Sequence, residues 1–93
     1  MTDQNPGPAP PNRNLSEPDT FRAVYRAYFP RIYAYVAYRV GRQQDAEDIV
    51  ADVFLRAADH ATSFDYRGEE ALAGWLFQIA RSQVAQFYRR HKR

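Results

Sequence analysis

Ninety-three residues with no cysteine and 45% hydrophobic content make one small domain that can rest on neither disulfides nor thiolate metal sites. No apolar run approaches the ~20 residues that span a bilayer, and the Pro- and Asn-rich start has no apolar signal segment. The expected compartment is therefore the cytoplasm. The net charge of +2 hides a strong segregation. Residues 21–40 carry Arg22, Arg26, Arg31 and Arg39 and no acid. Residues 41–60 carry Asp45, Glu47, Asp48, Asp52 and Asp59 against Arg42 and Arg56. No acid follows Glu70, and the chain ends on Arg89, Arg90, His91, Lys92 and Arg93. An acidic segment and a basic terminus in one domain suggest a cationic and an anionic partner.

Residues 1–20 hold five of the six prolines and few apolar residues. Such a segment buries too little surface to offset its ordering entropy, so a disordered tail is expected over 1–20 and a folded domain over 21–93. Asp19 or Thr20 is the expected helix cap.

A first helix is predicted from Phe21 to about Val40, with Phe21, Val24, Tyr25, Tyr28, Ile32, Tyr35, Val36 and Val40 on its buried face. Pro30 removes one backbone hydrogen bond, so a kink or two shorter helices meeting at Phe29-Pro30 is expected. Gly41 fits a C-terminal stop.

A second helix is predicted from about Asp45, as N-cap, to His60. Ala46, Ile49, Val50, Val53, Phe54, Ala57 and Ala61 form its apolar stripe. Glu47, Asp48, Ala51, Asp52, Leu55, Arg56 and Asp59 form its outer side, a leucine among acids.

Thr62–Glu70 reads as a loop carrying Phe64, Asp65, Tyr66 and Arg67. The last helix starts near Glu69–Leu72. Leu72, Trp75, Leu76, Ile79, Ala80, Val84 and Phe87 recur at helical steps on one face, and Gln78, Ser82, Gln86 and Arg90 on another. Gly74 is expected to weaken this helix slightly and to permit close approach of another backbone. No strand pattern, repeat or heptad occurs, so the fold class is all-α, a compact domain of three to four helices.

The catalytic inventory is poor. There is no Gly-rich phosphate loop, no HExxH and no Cys/His cluster, and His60 and His91 have no ligand-like spacing. No enzyme activity, metal or cofactor is expected.

Three blocks carry a resemblance: Asp45-Ala-Glu-Asp-Ile-Val-Ala-Asp-Val-Phe-Leu-Arg56, then Trp75-Leu-Phe-Gln-Ile-Ala-Arg-Ser82, then Tyr88-Arg-Arg90. In this order and spacing the chain resembles region 2 of sigma-70-type factors, most of all the extracytoplasmic-function (ECF) sigma factors. The resemblance covers residues 21–93. It implies a transcription initiation domain that binds RNA polymerase core and reads the minus-ten promoter element. Asp48, Asp52, Leu55 and Arg56 would dock on the clamp-helix coiled coil of the β′ subunit. The loop Thr62–Glu70 would trap a flipped base of the non-template single strand, with Phe64 or Tyr66 as wall and Asp65 and Arg67 for the edge. Phe64 can equally be a plug that ties the loop to the core. Ser82, Gln83, Gln86, Arg89 and Arg90 would face the DNA. An anti-sigma factor is a further implied partner.

Family members often carry Gln where Ala51 stands and Asn where Ser82 stands. The latter bears on base preference, because serine reads less of a base edge than an amide does. ECF factors also carry a second, helix-turn-helix domain, so this chain is expected to be a piece cut before that domain or a lone region-2 protein. Two other readings remain: a non-DNA-reading interaction domain (a decoy or an anti-sigma-binding module), and a nonspecific helical nucleic-acid binder.

Overall fold

The computed structural model describes residues 13–91. Helix α1 spans Pro18–Val40, α2 Gln43–Asp59 and α3 Glu69–Arg90, with a 3₁₀ turn at Ala61–Ser63. Each helix packs on the other two. The fold is all-α, as the periodicity predicts.

The folded part begins earlier than Phe21. Leu15 is buried, 3% exposed, in the common core. Asn14 organises the entry: its side-chain oxygen accepts hydrogen bonds from the Ser16 amide at 3.0 Å and hydroxyl at 2.6 Å, and its carbonyl accepts from the Glu17 amide at 3.0 Å. This Asx-type turn delivers the chain to Pro18 at the first helical position, where its missing N–H costs nothing and its fixed φ suits the helix. The cap residue is Glu17 rather than Asp19 or Thr20, and it caps with backbone only. The tail predicted over 1–20 is thus folded from Arg13 onward, and residues 1–12 lie outside the described range.

Helix α1 runs through Pro30 as one element, so the predicted division into two helices does not occur. Val24, Tyr28, Ile32 and Val36 are buried at steps of four on both sides of the exposed Pro30. Continuous burial of one stripe outweighs the single lost hydrogen bond. Tyr25, placed on the buried face by its spacing, is 41% exposed, its ring edge meeting Phe54 at 4.8 Å. Gly41, at φ 83°, ends the helix, its amide donating to the Ala37 carbonyl at 3.0 Å.

Helix α2 begins at Gln43 with Arg42 as cap, two residues before the predicted Asp45. Asp45 lies instead in the first turn, 3.8 Å from the Arg42 guanidinium, where the helix dipole favours a carboxylate. The predicted stripe is buried in full: Ala46, Ile49, Val50, Val53, Phe54, Ala57 and Ala61.

In α3, Leu72, Leu76, Ala80 and Val84 enter the core, while Trp75, Ile79 and Phe87 are only half-buried at its margin. No backbone approaches Gly74: a Cβ built there would meet nothing within 4 Å. The close approach predicted at Gly74 is therefore absent.

The charge segregation survives folding. The outer face of α2 carries Glu47, Asp48 and Asp52 exposed. From Phe21 through α1 and from Ala71 through α3 there is no carboxylate. On α1 two of the four arginines lie over aromatic rings, Arg31 at 5.1 Å from the Tyr28 centroid and Arg39 at 3.6 Å from Tyr35.

Candidate nucleic-acid interface

The loop between the 3₁₀ turn and α3 is held by side chains. Among the described residues its backbone bonds only at the ends: the Phe64 amide donates to the Ala61 carbonyl at 3.3 Å, and the Gly68 carbonyl accepts from the Leu72 amide of α3 at 3.1 Å. Gly68 starts α3 at φ 106°, a conformation in which a Cβ is strained. Phe64 lies against Trp75 with ring centroids 4.3 Å apart and planes 27° from parallel. It is half-buried against the core, so the predicted plug is present. Asp65 and Arg67 are exposed and paired with each other, Arg67 reaching the Asp65 carboxylate at 2.9 and 3.0 Å. Tyr66 is half-buried, and its hydroxyl donates to Glu69 Oε2 at 2.7 Å.

Glu69 collects two further donors. Arg13 reaches Oε2 at 2.5 Å and the Tyr28 hydroxyl reaches Oε1 at 3.1 Å. Burial of the carboxylate pushes its pKa up, but the hydrogen bonds from Tyr66, Arg13 and Tyr28 and the Arg13 charge outweigh it, leaving the value lowered. The tyrosines shift oppositely. Burial and then the bond to Glu69 raise Tyr28. For Tyr66 the bond to the carboxylate is the leading cause of its raised value.

Beside the loop, between the C-terminal half of α2 and the middle of α3, lies an open cleft of about 430 Å³. Ser82, Gln83 and Gln86 line it together with Gln78, Ile79, Trp75, Arg56 and His60. Gln78, Ser82 and Gln86 follow the step of four that marks them in the sequence. Gln83 differs from expectation: it is 5% exposed, so it lies at the base of the cleft and meets only an atom that enters. Arg56, grouped by sequence with the acidic face, lines this cleft. His60 and Trp75 were missed as cleft residues, because only the apposition of two helices puts them there.

Asp48, Asp52 and Leu55 share the outer face of α2, with Leu55 63% exposed. Among the described residues neither aspartate forms an ion pair within 4 Å. Arg90 does not join the cleft. It borders a smaller hollow of about 140 Å³ with Asp45, Asp48, Asp52, Phe87 and His91. Arg89 is exposed. No group of three or more His, Cys, Asp or Glu side chains that could hold a metal occurs among the described residues. No described helix is long and apolar enough to cross a membrane.

The molecule is an α-helical domain, a three-helix bundle with an exposed acidic face, an aromatic-bearing loop and a cleft lined largely by glutamine side chains. Residues 24–93 match the family model of Sigma-70 region 2. The chain is 38% identical over 73 residues to the ECF RNA polymerase sigma factor BldN of Streptomyces coelicolor, covering 78% of this chain and 27% of that protein. It is 30% identical over 74 residues to the ECF RNA polymerase sigma factor SigM of Bacillus subtilis, covering 80% and 44%. It is 32% identical over 72 residues to the RNA polymerase sigma factor YlaC of the same organism, covering 77% and 40%. The chain thus spans less than half the length of these relatives. No solved structure matches it. The chain belongs to the sigma-70 family as a region 2 domain of the ECF kind.

Proposed function

We propose that this domain serves transcription initiation by joining RNA polymerase core to a single-stranded promoter segment, without catalysing a reaction. The acidic face of α2, with Asp48, Asp52 and Leu55, docks on the β′ clamp helices. Its carboxylates suit a basic partner helix, and the exposed leucine supplies apolar contact at the centre. The loop 62–70 and the cleft beside it take the non-template strand of the minus-ten element and hold a flipped base. The observation that supports this most is the Phe64–Trp75 stack. Trp75 also lines the cleft, so the loop, the Ser82 hydroxyl and the amides of Gln83 and Gln86 form one surface with an aromatic centre. Aromatic faces stack any base, whereas amides and the Asp65–Arg67 pair can discriminate base edges.

Phosphate contacts position a strand and carry no sequence information directly. Arg89 and Arg90, beyond the cleft, fit that role. The test is competitive binding across single-base variants of a non-template oligonucleotide. Arg89→Ala should weaken all variants by a similar factor. Substitutions in Phe64–Arg67, or at Ser82 or Gln86, should change which base is preferred, by roughly 1–3 kcal/mol per base. A ranking that Arg89→Ala reorders and the loop leaves alone overturns the reading.

A further inference from the structure

Glu69 is the first residue of α3, and its carboxylate is where three separate segments meet. Arg13 comes from the stretch before α1, Tyr28 from α1 and Tyr66 from the loop, and all three donate to it. Arg13 and Tyr66 share Oε2, at 2.5 and 2.7 Å, while Tyr28 takes Oε1 at 3.1 Å. The Arg13 side chain is only 22% exposed. It is held in place because the stretch that carries it is itself anchored, by Leu15 in the core and by the Asn14 turn.

The loop needs such an anchor. Between Phe64 and Gly68 no backbone amide of Asp65, Tyr66 or Arg67 bonds to a backbone carbonyl of the described residues. The Asp65–Arg67 pair is internal to the loop and solvent-exposed, so it fixes nothing relative to the rest of the domain. Three ties to the described body remain. The Phe64 ring on Trp75 sets the near end, and the Tyr66 ring rests half-buried against the core. The Tyr66 hydroxyl on Glu69 is the one polar tie, and it sets the direction of that ring at the centre of the loop. Hydrogen bonds to an ionised acceptor are shorter and stronger than neutral ones. An unconstrained glutamate at a helix start has several rotamers, however, and only the bonds from Arg13 and Tyr28 single out the one that faces Tyr66.

We propose that Arg13 is a positioning residue for base recognition: with Tyr28 it fixes the Glu69 carboxylate that holds Tyr66, and so sets the geometry of the loop 64–68. This rests on the reading of that loop as base reader. It places part of the specificity device at a residue before position 24, ahead of the segment that matches the family. Arg13 itself touches no base.

The test uses the whole chain, and its reporter is built in. Trp75 is the sole tryptophan and stacks on Phe64, so its emission and its accessibility to a neutral quencher follow the loop. Arg13→Ala, Glu69→Gln and Tyr66→Phe should each raise quencher access and speed amide exchange at residues 65–67, with α2 exchange unchanged. Arg13→Lys, which keeps the charge, should restore part of the protection. The double variant Arg13→Ala/Tyr66→Phe should be no looser than either single variant, because both remove one connected unit. Glu69→Gln keeps the side-chain shape and repeats the measurement should Arg13→Ala lower the melting temperature.

The oligonucleotide panel is then read on the same proteins. Wild-type preference at the base read by the loop, roughly fivefold or more for a hydrogen-bonded edge, should fall toward parity in Arg13→Ala. Preferences read by the cleft should stay. A loosened loop with a flattened preference supports both the brace and the base-reading assignment. A loosened loop with an unchanged preference keeps Arg13 as a brace and overturns the loop as reader. A loop whose exchange and quenching are unmoved in both Arg13→Ala and Glu69→Gln overturns the proposal, whatever the DNA does.

Discussion

Phe64 and Trp75 lie face to face at 4.3 Å, one from the loop and the other from the second turn of α3. The contact joins two surfaces that are separate in sequence, and in the proposed reading one aromatic residue is then both plug and wall. Phe64→Ala should therefore lower stability and disturb base preference together. A stacked pair contributes about 0.5–1.5 kcal/mol beyond its buried area, so a loss of about 1–3 kcal/mol is expected for this half-buried ring. Phe64→Leu should recover most of the stability but not the preference. Urea denaturation and the oligonucleotide panel on the two variants separate these effects, and full recovery of preference by leucine would show that the ring acts only as filler.

The acidic face and the cleft adjoin at Arg56, which makes their roles separable. Asp48→Arg with Asp52→Arg should reduce affinity for core polymerase while circular dichroism stays unchanged, since both side chains are exposed and form no ion pair among the described residues. Arg56→Ala should instead weaken binding of single-stranded DNA, because that side chain lines the cleft. The weakening should be greatest at low salt, where a cation facing phosphates acts most strongly. Core affinity that is unchanged in the double reversal removes α2 as the docking helix.

The loop should respond to pH at both extremes. Glu69 has a lowered pKa in the fold, so folding favours its ionised form. Its contribution is present above the ordinary value of 4.5 and is lost as pH falls through the lowered value. Tyr28 and Tyr66 are raised, so their contribution is present below 10.0 and is lost as pH rises through their raised values. Trp75 fluorescence should show a plateau with an acid and an alkaline edge. In Glu69→Gln the acid edge should shrink. An acid edge of full size in that variant assigns it to other carboxylates.

Gly74 offers a gain in stability. It sits in the helical backbone of α3 with open space where a Cβ would go. Gly74→Ala should stabilise the domain by about 0.5–1 kcal/mol through the unfolded chain's lost freedom, measured as a higher urea midpoint at constant slope. A lower midpoint would mean that the site is more crowded than its surroundings indicate.

The α2 stripe is legible in the sequence because one amphipathic helix obeys one period, and the structure buries every predicted member. Helix starts are less legible. Glu17, Arg42 and Gly68 cap with no side-chain hydrogen bond, so a search for Asp or Thr caps lands a few residues late. Pro30 shows packing overriding a local rule. In the candidate site, the Gln78-Ser82-Gln86 row is a property of one helix and can be read directly. The membership of Arg56, His60 and Trp75 in the cleft depends on how two helices cross. The Arg13–Glu69 bond spans 56 residues, and no periodicity encodes a contact at that range.

The concentration of exposed carboxylates on the outer face of α2 gives the bundle an electrical polarity. Each helix faces outward in a different direction, so the polarity turns the molecule before anything touches. In the proposed reading, a polyanion drawn from solution would meet the arginine-bearing sides of α1 and α3, and a basic coiled coil would meet α2. The torque reaches about a Debye length, roughly 8–10 Å near physiological ionic strength. Within that distance the two proposed partners are drawn to different faces of the domain, which adjoin at Arg56. Neutralising the α2 acids would therefore slow productive encounter with both partners, including the one those acids never contact, because the domain would arrive in random orientations.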